Sequence, residues 1–319
     1  MFELVVIVPA YNEGSGLREF HARLSKVLDQ MELRSGVFYV DDGSHDDTWA
    51  VVSTLREHDP RVGGLRLSRN FGKELALTAG IDNVNADAVV VIDADLQDPP
   101  ELIPQFVHWW REGYDVVYGT RASRAGETRL KKWTSSAFYR VMRRLSATPV
   151  PRDTGDFRLL NRRALDAIKR LRERQRFMKG LFAWVGYRQK AIAYDRDPRH
   201  AGSSKFNYWR LWNFALEGIT SFSSAPLKVA TYLGLLTSLL AFVFGLFVFA
   251  KALIYGDPVR GYPTLMLVIL FLGGVQLIAL GMIGEYLGRL YMEVKQRPLY
   301  LVDEHCRARS EGADDPPLR

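Results

Sequence analysis

The chain has 319 residues, nearly half of them apolar, with 43 Lys and Arg against 36 Asp and Glu. That is enough apolar material for one large domain and a smaller appendage, which excludes a disordered chain. The net charge of +7 calls for an anionic partner, whether nucleic acid, membrane surface or phosphorylated substrate. The lone cysteine, Cys306 in a polar tail, excludes an internal disulfide.

In chain order, Leu4–Val8 follows a start without a basic leader and is too short for a signal peptide, so it reads as a first strand. Val37–Val40, Gly64–Leu67, Ala88–Ile92 and Val116–Tyr118 read as further strands, alternating with helical stretches. Such alternation predicts an α/β fold with a mostly parallel sheet, whose ligands bind beyond the carboxyl ends of the strands. At those ends stand Pro9-Ala10-Tyr11-Asn12-Glu13, Asp41-Asp42-Gly43-Ser44 and Asp93-Ala94-Asp95-Leu96-Gln97. Ser44 with Asp47 resembles a helix start, an N-cap followed by an acid in the first turn. Asp41 and Ser44 are therefore turn and cap residues or ligand contacts, while Asp42 is read as a ligand contact. Asp93 and Asp95, one residue apart at a strand end, are suited to sharing a hard divalent cation that also takes phosphate oxygens.

Thr128–Leu145 is basic and amphipathic, and Lys205–Phe214 is rich in aromatic residues; both read as interfacial helices, near 128–147 and 203–222. Val229–Ala250 and Gly261–Gly284 are uncharged for 22 and 24 residues, each long enough to cross roughly 30 Å of hydrocarbon. Only Lys251–Arg260 joins them, which predicts a tight hairpin with spans at about 229–250 and 262–284. Basic residues before and after it (Lys228, Arg289, Lys295, Arg297) put both flanks on the cytoplasmic side. The expected organisation is a catalytic domain over 1–225, a hairpin over 226–290 and a cytoplasmic tail over 291–319, disordered from Arg307. Gly284 and Gly288 make one small-xxx-small spacing, a face for homo-oligomerisation.

The ordered set V-P-A-Y-N-E, V-D-D-G-S, D-A-D-L-Q-D-P-P, G-T-R and T-G-D-F-R-L-L, with the hairpin after it, resembles family 2 glycosyltransferases across residues 2–303. Within them it is similar to the polyprenyl-phosphate branch, bactoprenol glucosyltransferases above all, with dolichyl-phosphate mannose synthases and aminoarabinose transferases beside them. The resemblance implies a Rossmann-like GT-A domain in a bacterial inner membrane. It implies inverting transfer of a hexose, UDP-glucose preferred, to undecaprenyl or another polyprenyl phosphate. By matched position, Pro9, Tyr11, Glu13 and Asp42 would hold the nucleoside, and Asp93, Ala94 and Asp95 would meet the diphosphate. Asp93, Asp95 and Gln97 would hold Mg²⁺ or Mn²⁺, and Arg121 would approach phosphate or sugar. Asp156 is expected as the catalytic carboxylate, a base or an orienting group, with Asp95 beside it. Arg199, Lys205 and Lys131 are expected to clamp the lipid phosphate. GDP-mannose and a UDP-amino sugar are the alternative donors.

Rival classes fit less well. Gly14-Ser15-Gly16 ends in Glu19, so no dinucleotide fingerprint follows the first strand, and no G-x-x-x-x-G-K-[ST] loop is present. A nucleic-acid binder would explain the charge, yet the basic residues cluster beside the apolar spans and no recognition motif is visible. A non-catalytic scaffold would predict damage to the acidic rim, and every expected acid is there. A processive synthase would need more spans and a Q-x-x-R-W segment, where this chain has Leu181-Phe182-Ala183-Trp184.

Overall fold

The computed structural model describes residues 2–121, 154–174, 176–194 and 261–309, with helical positions scattered between 232 and 254. The predicted interfacial helices, part of the first span, and Lys131, Arg199 and Lys205 lie outside the described residues. Two compact units are present. One holds the described residues up to 194 together with 297–309; the other holds those from 232 to 296.

In the first unit the described strands are β1 (Phe2–Ala10), β2 (Ser35–Asp41), β3 (Val62–Leu67), β4 (Ala86–Val91), β5 (Val116–Arg121), β6 (Thr154–Asn161), β7 (Gln189–Tyr194) and β8 (Val302–Cys306). They form one sheet in the order β7-β5-β6-β4-β1-β2-β3-β8. The middle, β4-β1-β2-β3, is parallel, as the alternating sequence predicts. Leu4, Val6, Ile7 and Val8 of β1 are all fully buried, the continuous apolar run of a strand covered on both faces. Helices α1 (Gly14–Asp29), α2 (Thr48–His58), α3 (Lys73–Asn83), α4 (Ile103–Arg111), α5 (Arg162–Arg170) and α6 (Met178–Trp184) supply that cover. In α1 the buried Leu17, Phe20, Leu24 and Leu28 recur at helical spacing and face the sheet. Helix α5 is capped by the Asn161 side chain, which accepts from Ala164 N–H at 2.9 Å.

Two features of this sheet differ from the sequence reading. Strand β6 was visible only as the T-G-D-F-R-L-L motif, yet it inserts antiparallel between β4 and β5. The tail expected after the hairpin returns as β8, antiparallel to β3. Its charged spacing hid it: Val302-Asp303-Glu304-His305-Cys306 is the pattern of an exposed edge strand. Glu304 accepts from Trp49 Nε1 at 2.9 Å, the Arg307 carbonyl accepts from Arg56 Nε, and Ala308 is buried. Disorder therefore does not begin at Arg307; residues 310–319 lie outside the described set.

The second unit contains α7 (Tyr262–Val294), whose Phe271–Val294 portion is long and apolar enough to cross a membrane. It runs past Gly284, where the uncharged stretch ends, and carries an Arg289–Glu285 ion pair at 2.8 Å. The described positions between 232 and 254 are helical as well.

Below the sheet's amino-terminal edge, Asp59 accepts from Arg61 at 2.8 Å and lies 3.5 Å from His21, whose other ring nitrogen is 2.9 Å from the Tyr39 hydroxyl. Burial disfavours the ionised Asp59, but His21 and Arg61 outweigh it and hold the carboxyl below the usual carboxylate range. A depressed folded-state pKa contributes stability above the unfolded value near 4 and loses it as pH falls. Asp59→Asn should therefore lower the unfolding free energy by about 1–3 kcal/mol at pH 7. In melting curves of the detergent-solubilised chain, the difference from wild type should shrink below about pH 4.

Candidate active site

The carboxyl ends of β1, β2 and β4 meet where the strand order reverses around β1, the switch point at which open α/β sheets bind ligands. A cleft of about 310 Å³ opens there, lined by Pro9, Tyr11, Glu13, Asp42, Asn70, Gly72, Lys73, Asp93, Ala94 and Asp95 among others. Because β6 runs antiparallel to β4, its first residues, including Asp156, come to the same rim as the end of β4.

The loops after β1 and β2 are tied into one wall. Asn12 N–H donates to Ser44 Oγ at 2.9 Å, Ser44 Oγ donates to Asp41, and Asn12 Oδ1 accepts from His45 N–H. Ser44 is thus not a helix cap: its hydroxyl is engaged between two loops, and α2 begins later, at Thr48, whose N–H is met by Asp46. Gly43 adopts φ +66, and a Cβ there would come within 2.4 Å of the Arg69 backbone, which explains the glycine in V-D-D-G-S. Asp42 is buried and accepts from Phe71 N–H at 2.7 Å and Gly72 N–H at 2.9 Å. It therefore pins the 70–72 loop, besides lining the cleft.

That loop delivers a residue the sequence reading missed. Lys73 opens α3, and its ammonium lies 2.7 Å from Asp93 and 2.5 Å from Asp156. Burial would lower its pKa, but the two carboxylates raise it, so it is a fixed cation. Burial disfavours charge on Asp156 too, but Lys73, with Lys179 and Arg158, holds it down at about 2. Asp93 is shifted upward, chiefly by burial, with Lys73 opposing. Glu74, next along α3, accepts from Met178 N–H, and burial with the nearby Asp156 pushes it up to about 7. The available signal was Asn70-Phe71-Gly72-Lys73, a glycine and a cation directly after a strand end. The rule that pointed to the other loops points here as well.

Asp93, Ala94 and Asp95 line the cleft as expected from their position. Leu96 sits at φ +57, an unusual backbone for a bulky residue, and Asp95 accepts from Gln97 N–H at 3.2 Å across this tight turn. Gln97 is buried outside the cleft lining, and its Oε1 has no hydrogen-bond partner among the described residues. The two carboxylates on the cleft are donors of the kind a hard divalent cation takes, with its remaining positions left to phosphate oxygens and water. Among the described residues no group of three His, Cys, Asp or Glu side chains forms a complete protein cage. Arg121 ends β5 opposite Tyr194 of β7, and its side chain is outside the described set.

A second missed pair supports this wall. The Tyr194 hydroxyl donates to Asp98, the last acid of D-A-D-L-Q-D, and the ring meets Phe157 edge-on at 6.1 Å. A Cβ on Gly119 would come within 2.6 Å of the same ring, which accounts for the glycine in G-T-R. Tyr194 thus joins β5, β6 and the acidic loop.

Comparison with known proteins agrees with this arrangement. The profile of glycosyl transferase family 2 matches residues 5–169, and that of the GtrB C-terminal hairpin matches residues 225–290. The chain belongs to glycosyl transferase family 2. A glycosyltransferase of Synechocystis is 54% identical over 302 residues, covering 95% of each chain. The bactoprenol glucosyl transferase of Shigella phage SfII is 44% identical over 96% of this chain and 99% of its own length. A prophage bactoprenol glucosyl transferase homolog of Escherichia coli is 42% identical over 94% and 98%. The sheet is accordingly the GT-A arrangement of a glycosyltransferase. The hairpin match with the apolar α7 associates this enzyme with a membrane.

Tyr194→Phe removes one donor from the buried Asp98 carboxylate. The glycosyltransferase variant should lose about 1–3 kcal/mol of stability while keeping its circular dichroism spectrum, as thermal unfolding would measure.

Proposed function

We propose that this glycosyltransferase transfers glucose from UDP-glucose to undecaprenyl phosphate, or a similar polyprenyl phosphate, with inversion at the anomeric carbon. The observation that carries this reading is the state of Asp156. A carboxylate held at about 2 by a lysine at 2.5 Å is a poor base near neutral pH, so it cannot activate a sugar hydroxyl efficiently. An acceptor that arrives already ionised, a phosphate monoester, needs no such activation. The near full-length relation to bactoprenol glucosyl transferases, hairpin included, supports the same acceptor class.

In this reading Pro9, Tyr11, Glu13 and Asp42 hold the nucleoside, and Asp93, Ala94 and Asp95 face the diphosphate, with Arg121 approaching it from the end of β5. Asp93, Asp95 and Gln97 would hold Mg²⁺ or Mn²⁺, which when bound neutralises charge on the diphosphate. Asp156 orients the acceptor. A phosphate oxygen attacks the anomeric carbon as the bond to UDP breaks, with no covalent sugar–enzyme intermediate, so alignment and charge compensation supply most of the rate. Arg199, Lys205 and Lys131 clamp the lipid phosphate, and the hairpin keeps the catalytic domain on the cytoplasmic face of a bacterial plasma membrane, in line with the basic residues flanking it.

The test is to incubate membranes containing the protein with undecaprenyl phosphate and radiolabelled UDP-glucose, GDP-mannose and UDP-amino sugars, with Mg²⁺, Mn²⁺ or a chelator. Label extractable with lipid from UDP-glucose is expected. Absence of lipid label from every donor would overturn the reading. Asp95→Asn should reduce turnover by about a hundredfold or more; full turnover in that variant would refute the metal role.

A further inference from the structure

We infer that Lys73 is a substrate-contacting residue: its ammonium is the counter-ion that receives the acceptor's phosphate beside Asp156. The inference rests on the phosphate-acceptor reading above and assigns a residue that the motif comparison did not.

The geometry has three parts. First, Lys73 lines the cleft and keeps 45% of its side-chain surface open, so its ammonium is both paired and reachable. Second, its base is fixed while its stem is free. Asp42 holds the two preceding N–H groups, and Gly72 at φ +97 turns the chain into α3, so only the four-carbon side chain has latitude. Third, Lys73 joins the carboxylate of the diphosphate side, Asp93, to the carboxylate of the acceptor side, Asp156.

Charge then decides its partner. A phosphate monoester carries about −1.5 to −2 near neutral pH. Approaching an anionic Asp156 alone, it would meet a like charge in a partly desolvated site. The Lys73 ammonium meets one oxygen of Asp156, and the other, Oδ1, is buried without a hydrogen-bond partner among the described residues. An ammonium has three N–H donors, and two directed at Asp93 and Asp156 leave a third for a phosphate oxygen. Lys73 can therefore hold Asp156 and the acceptor phosphate at once, which turns a repulsive pair of anions into an ordered one. In the reading above a divalent cation would compensate the diphosphate beside Asp93 and Asp95, which leaves the third Lys73 donor for the acceptor.

The experiment separates phosphate recognition from folding and from the reaction itself. Binding of farnesyl phosphate, farnesol and UDP-glucose to the detergent-solubilised full chain is measured by calorimetry for wild type, K73M and K73R. K73M should weaken farnesyl phosphate binding by about tenfold to a hundredfold, the loss of one charge-assisted hydrogen bond. Farnesol and UDP-glucose binding should change less than about threefold, and K73R should restore farnesyl phosphate binding to within about threefold of wild type. Unchanged phosphate binding in K73M overturns the inference, as does a loss of UDP-glucose binding larger than that of farnesyl phosphate. If K73M fails to fold, K73R decides: near-wild-type phosphate binding supports the ammonium's role as a charge, and a tenfold loss overturns it. Wild type that binds farnesyl phosphate through Lys73 but transfers no sugar to lipid would sink the proposed reaction and leave this inference standing. Wild type that does not distinguish farnesyl phosphate from farnesol sinks this inference.

Discussion

Carboxylates crowded on one rim repel one another, and at this rim one ammonium bridges two of them. Asp93 comes from the end of a parallel strand and Asp156 from the start of an antiparallel one, and Lys73 bridges them. Much of the local architecture serves to put that ammonium there. Asp42 anchors the 70–72 loop, Gly72 makes the turn, and α3 starts at Lys73 itself. The wall of β1 and β2 loops, stitched through Ser44 and Asn12, holds Asp42 in place in turn. A position first read as a nucleoside contact is thus also the support for the charge centre.

The parallel middle of the sheet was legible because its strands are apolar runs that end in polar, glycine-bearing loops. The acidic rim was legible for the same reason: Asp42, Asp93 and Asp95 sit where a strand stops. Lys73 was not, because a lysine at a helix start looks like any solvated lysine until two carboxylates from distant parts of the chain are placed beside it. Strand β6 was hidden within a motif noted only for its acid, and Tyr194 and Asp98, far apart in sequence, become partners only through the order β7-β5-β6-β4. The sequence leaves Ser44 open between a helix cap and a ligand contact. The local pattern of a helix cap was present, but a buried carboxylate and a neighbouring loop competed for the hydroxyl and won.

The rim also concentrates conformations that a chain adopts reluctantly. Asn12 and Leu96 both have positive φ, and each lies in a loop that lines or borders the cleft. Leu96 is buried, so packing holds its backbone in a region it would otherwise leave. Buried oxygens on Asp156 and Gln97 without hydrogen-bond partners among the described residues lie in the same neighbourhood. Strain and unsatisfied polarity belong where a ligand will complete the structure, and here both lie on the substrate side of the sheet.

The last strand has a further consequence for how the molecule is made. β8 follows the apolar hairpin in the chain, yet it completes the β3 edge of a sheet whose other described strands all precede the hairpin. As the polypeptide leaves the ribosome, β3 therefore remains an open edge, with unpaired backbone groups, throughout synthesis of the apolar segments. Closure of the sheet at β3 therefore waits until the apolar segments and the residues up to Cys306 have been made.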